Sequence, residues 1–171
     1  MADEDMKTET QDQAAENTQE AAPAFQLERC YMKDASVEMP HAPEVFVKPM
    51  QAQPMVDMQF EVTGKRLSDT HREVCVRATV TIKEEETVLM LAEVKQAGIF
   101  QIHGFTDEQE MHIANVVCPS IVFPYLRANV ADLVSRTSMA PVHLPEMNFE
   151  ALFQQRLAQQ AAAEGAEAAQ A

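Results

Sequence analysis

Glu73-Val-Cys-Val-Arg-Ala-Thr-Val-Thr-Ile-Lys83 alternates Val74, Val76, Ala78, Val80 and Ile82 with Cys75, Arg77, Thr79 and Thr81. Successive side chains of a strand point to opposite faces, so this stretch reads as a half-buried antiparallel strand with one apolar and one polar side. Upstream, Val56, Met58, Phe60 and Val62 alternate with Asp57, Gln59 and Glu61 in the same way. A third strand runs from about Thr87 to Gln96 and extends toward His103, and Phe25 to Val37 makes a fourth, less regular one. Met39 to Pro54 carries Pro40, Pro43, Pro49 and Pro54, a spacing that excludes a central strand or a helix interior. It must cross over as an extended loop, and so long a crossover usually has a task. Its apolar Val45, Phe46 and Met50 hint at that task.

Beyond the strands the period changes. Thr106 followed by Asp107, Glu108 and Gln109 is a capping-box start. Val122, Leu126, Val130 and Leu133 then share one stripe of a longer helix ending near Arg136, with Pro119 and Pro124 placing a break or kink near its start. Asn148 can cap a final helix whose Phe149, Leu152, Phe153 and Leu157 form the buried face. Strands first and helices after point to an α+β domain with helices packed on one sheet face.

The 171 residues suit one domain. Residues 1–24 hold seven acids and one lysine with no periodic apolar face, so they are expected to be disordered. A similar tail is expected from residue 161 to 171, which leaves 25–160 as the folded domain. The two tails carry about −8 of the formal −14 charge, so the folded part is only moderately acidic. Nucleic acid and anionic membranes would be repelled. No run of eighteen apolar residues occurs, and the start MADEDMKTET lacks the basic and apolar regions of a secretory signal, so membrane insertion is not expected and the chain should stay in the cytoplasm. Cys30, Cys75 and Cys118 are odd in number and form no C-x-x-C pair, which fits reduced thiols rather than a disulfide framework or zinc site.

Evidence for catalysis is thin. His41, His71, His103, His112 and His143 are scattered without metal-ligand spacing, no G-x-S-x-G or phosphate-loop motif occurs, and only four glycines are present. No enzyme activity, metal or cofactor is therefore expected. Asp34 and Glu38 fall with Ser36 on one strand face. At roughly 13 Å apart along the backbone they suit a docking surface better than a two-carboxylate mechanism, and a plain solvated face accounts for them equally well. In Val88 to Gln96, counting by twos puts Val88, Met90, Ala92 and Val94 on one side and Leu89 and Leu91 beside Glu93 on the other. Leucines on a wet face mean either that this face is partly covered or that Leu91 and Glu93 belong to an interaction patch. Eleven methionines without tryptophan suit an adaptable apolar surface or ordinary core filling.

Tyr31-Met-Lys-Asp-Ala-Ser-Val-Glu-Met-Pro-His-Ala-Pro43, Ala92-Glu-Val-Lys-Gln-Ala-Gly-Ile-Phe100, Cys118-Pro-Ser-Ile-Val-Phe-Pro-Tyr125, Val134-Ser-Arg136 and Asn148-Phe-Glu-Ala-Leu-Phe153 together resemble the SecB family. The motifs cover about residues 25 to 158 in family order. Ala97-Gly98 stands where the family usually has Gly-Gly before Ile-Phe. The resemblance implies a four-stranded antiparallel sheet with helices on one face, assembled as a homotetramer, a dimer of dimers. It implies an ATP-independent chaperone that binds unfolded precursor polypeptides and delivers them to the SecA motor. By family pattern the client groove takes Val45, Phe46, Val56, Met58, Phe60 and Tyr125. SecA docking takes Asp34, Glu38, Leu91 and Glu93, a surface suited to a basic, zinc-bearing segment of SecA. Ala92, Val94 and Gln96 resemble positions linked to subunit assembly. The nearest alternative is a SecB-like chaperone dedicated to a toxin–antitoxin pair.

Overall fold

The structure is a computed structural model that describes residues 22–47 and 52–168, with side chains described through residue 162. Four strands, β1 (Ala24–Glu38), β2 (Met55–Arg66), β3 (His71–Glu84) and β4 (Thr87–His103), form one antiparallel sheet in the order β1-β4-β3-β2. β1 and β2, consecutive in sequence, therefore lie on opposite edges. The crossover between them must traverse three strand spacings, about 14 Å, which alone requires a long connection. It contains a short 3₁₀ turn, Glu44–Phe46, and a cis Ala42–Pro43 bond. Met50 lies outside the described residues.

Helical backbone runs without interruption from α1 (Asp107–His112) through a π-helical segment, Ile113–Val117, into α2 (Cys118–Ser135). The expected capping box is present: Thr106 Oγ1 accepts from Gln109 N at 3.3 Å, and Gln109 Oε1 accepts from Thr106 N at 3.0 Å. Pro119 follows the π turn directly, so the N–H it lacks falls where the helical hydrogen-bond ladder already changes register. By length and composition Asp107–Ser135 could cross a membrane. Here its apolar stripe lies instead on the sheet: Val122, Leu126, Val130 and Val134 are fully buried with Val74, Val76, Val80, Val94, Phe100 and Ile102.

α3 (Phe149–Ala168) starts as expected, with Asn148 Oδ1 accepting from Ala151 N at 2.9 Å. It continues eight residues past the expected boundary at 160, where residues 161–163 are three successive alanines, the residue type that most favours helix. Residues 1–21 and 169–171 of the expected tails lie outside the described residues, and Ala24 already belongs to β1.

β1 is irregular for an identifiable reason. Its register against β4 shifts twice, between Leu27 and Arg29 and between Met32 and Asp34, so Glu28 and Lys33 are extra residues. Each bulge resets the alternation, which lets Phe25 and Leu27, then Cys30 and Met32, then Ala35 and Val37 take the helix-covered face in turn. Both extra residues send a charged side chain across β4 to β3 on the opposite, outer face. Glu28 Oε1 lies 3.2 Å from His71 Nε2, and Lys33 Nζ 2.6 Å from Glu73 Oε2.

A third bulge corrects the reading of β4. Met90 pairs with Ile82 but Val88 pairs with Lys83, so Leu89 is extra. It turns into the core at 3% exposure, while Val88 shares the side of Lys83. Leu89 is thus not an outer-face leucine. Only Leu91 of the pair remains there, half-buried beside Glu93.

Candidate functional site

Two surfaces collect the residues singled out from sequence. On the helix-covered face, Val56, Met58 and Phe60 pair with Ile82, Val80 and Ala78, which puts their side chains on the same face as the core. α2 packs over β3 and β4 and reaches β1, so β2 extends beyond its shelter. Met58 and Phe60 are half-buried against the core, and Val56 is 45% exposed. The Phe60 ring meets Phe123 of α2 edge-on at 6.2 Å, and Phe123 meets Phe149 of α3 at 5.5 Å, so one aromatic series ties the sheet edge to both helices. Glu38, Leu91, Thr81 and Asp57 form one row across the sheet. The crossover therefore begins and ends at the Val56 end of the sheet, and along it Val45 is half-buried and Phe46 exposed.

Tyr125, also half-exposed, does not join this cluster. It stands four residues before Asn129, whose Nδ2 donates to Gln96 Oε1 of β4 at 2.7 Å. Tyr125 is thus on the α2 stripe toward β4, whereas Phe123, two positions earlier and on the far side of the helix, faces β2. Ala92, Val94 and Gln96 are buried beneath α2 within the chain itself.

On the outer face, the β1–β4 register places Asp34, Ser36 and Glu38 opposite Lys95, Glu93 and Leu91. The four expected docking residues therefore share one surface. Two of its acids are already engaged. Lys95 Nζ lies 3.1 Å from Asp34 Oδ2 and 3.0 Å from Glu93 Oε1. Arg77 bridges Glu61 at 2.6 Å and Glu93 at 3.4 Å. The ion pairs made by Arg77 and Lys95 run across all four strands, from Asp34 of β1 to Glu61 of β2, and so depend on register.

Further along, Tyr31 Oη donates to Glu73 across the small Ala97, and together with Lys33 it covers Ala97 and Cys75. This second cluster was missed from sequence because Lys33 reaches it only through a bulge. Burial raises the Glu73 carboxyl, but the hydrogen bonds from Lys33 and Tyr31 outweigh it and leave the group below its ordinary value. The bond to Glu73, followed by burial, pushes the Tyr31 hydroxyl up to about 12. A depressed carboxyl contributes stability above its unfolded pKa that is lost as pH falls through the folded one. Glu73→Gln is therefore expected to cost about 1–3 kcal/mol at neutral pH. The difference from wild type should shrink below the carboxylate range, as read by denaturant unfolding at neutral and acid pH. A cost independent of pH would assign Glu73 a packing role instead.

Other polar groups act structurally. Ser68 Oγ, His71 Nδ1 and Glu28 form a serine–histidine–carboxylate series at 3.1 and 3.2 Å. Ser68 Oγ, however, accepts from the backbone N–H groups of Thr70 and His71, and Thr70 Oγ1 is nearer to Nδ1 at 2.8 Å, so the series closes the β2–β3 turn. Burial pushes the Cys118 thiol up to about 12, away from nucleophilic use. Among the described residues no group of three His, Cys, Asp or Glu could hold a metal ion.

An antiparallel sheet with one helix-covered face, a bare apolar margin and a charged outer face defines a SecB-like chaperone fold. The same fold occurs in a Mycobacterium tuberculosis SecB-like chaperone solved in complex with an antitoxin peptide. That chain superposes with a TM-score of 0.57 at 22% identity over 72% of this chain and 90% of its own. The model of the SecB family, the preprotein translocase subunit SecB, matches residues 18–160. The protein-export protein SecB of Bordetella petrii is 49% identical, covering 88% of this chain and 86% of its own. That of Burkholderia vietnamiensis is 45% identical, covering 86% and 93%. The chain belongs to the SecB family and is a protein-export chaperone. That family is one of chaperones rather than enzymes.

Proposed function

We propose that this protein binds unfolded precursor polypeptides in the cytoplasm without consuming ATP, keeps them competent for translocation and delivers them to SecA as a homotetramer. The observation that carries the reading is the partly covered margin of β2, where Val56 is 45% exposed and Met58 and Phe60 are half-buried, at the edge where the crossover bearing Val45 and Phe46 rejoins the sheet. Tyr125 offers a separate exposed contact on α2. An extended client can lay alternate side chains along such a margin. Four buried apolar client side chains at about 2 kcal/mol each supply roughly 8 kcal/mol gross, offset by an association and ordering cost of several kcal/mol. One margin therefore binds weakly, and several on one assembly hold by avidity while each contact stays quick to release.

Assembly is supported by β1, a 15-residue edge strand whose Phe25, Met32 and Val37 are each more than a third exposed. An edge that long and apolar calls for a cover. SecA docking is assigned to Asp34, Glu38, Leu91 and Glu93, with the acids facing a cationic partner. Relatives named for protein export at nearly half identity favour this over a toxin–antitoxin role.

The test is to dilute a chemically unfolded precursor into the purified protein without ATP and then add SecA. Suppressed aggregation by a species of tetrameric mass that then captures SecA is expected. Holding of the precursor without SecA binding would favour the dedicated-chaperone reading, and failure to hold it would overturn both.

A further inference from the structure

The outer-face acids are unequally available, and one lysine makes them so. Glu93 has both oxygens occupied: Oε1 by Lys95 at 3.0 Å, and Oε2 by Arg77 and the Thr79 hydroxyl, each at 3.4 Å. Asp34 shares Oδ2 with the same Lys95 at 3.1 Å. Glu38 is exposed and has no ion-pair or hydrogen-bond partner among the described residues. Among the described residues, a cationic segment approaching this surface meets Glu38 unpaired, Asp34 half engaged and Glu93 saturated. Lys95 Nζ sits between the last two, with its side chain 33% exposed.

We propose that Lys95 is a specificity-determining residue of the docking surface, an intrinsic cation that competes with a partner's Lys or Arg for Asp34 and Glu93. This rests on the docking reading above. A partner cation close enough to pair with Asp34 or Glu93 is within one Debye length of Lys95, so it is repelled by Lys95 and must also displace it from a carboxylate. The competitor lowers affinity and ensures that a partner with one or two cations gains little, whereas a segment with enough charge to displace Lys95 and also engage Glu38 gains much. Binding is thereby made reversible and selective for a strongly basic partner.

Lys95→Gln removes the charge and keeps a hydrogen-bonding group of similar reach. Its affinity for SecA, and for a synthetic Lys- and Arg-rich peptide used as a bare cationic probe, is expected to rise about two- to fivefold at low salt, the range one surface charge interaction can carry. The gain should fade as salt is raised. Lys65→Gln is the control. Lys65 lies on the same face, opposite Glu73, two same-face rows from the Arg77–Lys95 pair. It changes net charge equally without touching the docking acids. Unchanged or weaker binding by a folded Lys95→Gln protein would overturn the proposal, as would an equal gain from Lys65→Gln, which would reduce the effect to net charge. If SecA binds neither wild type nor variant, the SecA assignment fails, and the peptide titration still decides the role of Lys95.

Discussion

Phe100→Ala is expected to destabilise the fold by about 3–5 kcal/mol, the cost of emptying a fully buried aromatic site. The ring is 0% exposed, stacks on Phe25 of the neighbouring strand at 5.8 Å and 11°, and lies over Gly98. A Cβ built on Gly98 would stand 2.6 Å from the Phe100 ring and 3.0 Å from Val122 of α2. The glycine is therefore required by close packing inside a strand, and no turn is involved. Ala97, where the family usually carries a second glycine, points to the outer face beneath Tyr31 and is accommodated there. Gly98→Ala should cost about 1–3 kcal/mol by overpacking. In the Phe100→Ala background the added methyl enters vacated space, so the two costs should not add. Urea unfolding of the two single variants and the double variant measures the coupling, and strictly additive costs would refute this account of Gly98.

Val56→Asp is expected to lower capture of an unfolded precursor by roughly tenfold or more, because docking would strip water from a new carboxylate instead of burying an isopropyl group. Val56 is 45% exposed at the margin of β2, so the free protein leaves that carboxylate solvated and should stay folded and assembled. Aggregation suppression measured beside the assembly mass separates the two effects, and full capture by the intact variant would remove Val56 from the client surface. The equivalent change at Phe60 is a poorer probe. Its ring packs on Phe123 and the core, so a charge there strikes the aromatic series that joins β2, α2 and α3.

Legibility from sequence followed how local the determinant was. β3 was read directly because its alternation is unbroken by any extra residue before Lys83. The capping box at Thr106 and the cap at Asn148 were also legible, since each is satisfied within three residues of itself. Placing Asp34, Ser36 and Glu38 on one face succeeded because no bulge falls among them. Val88 and Leu89 were assigned to the wrong sides because one bulge precedes Met90. Nothing in the local composition marks which residue is extra, since that is settled by the strand opposite. Tyr125 was grouped with Phe60 by family pattern, and only the way α2 lies on the sheet separates them.

The sequence by itself thus determined the α+β order, the apolar faces and the family, because periodicity and capping are properties of neighbours along the chain and family motifs are written in residue order. The tertiary structure decided which carboxylates are free, which residues are bulged and which apolar side chains stay uncovered. Those outcomes depend on register between strands distant in sequence and on where α2 comes to rest. They follow from a balance of burial and charge pairing that no single segment contains.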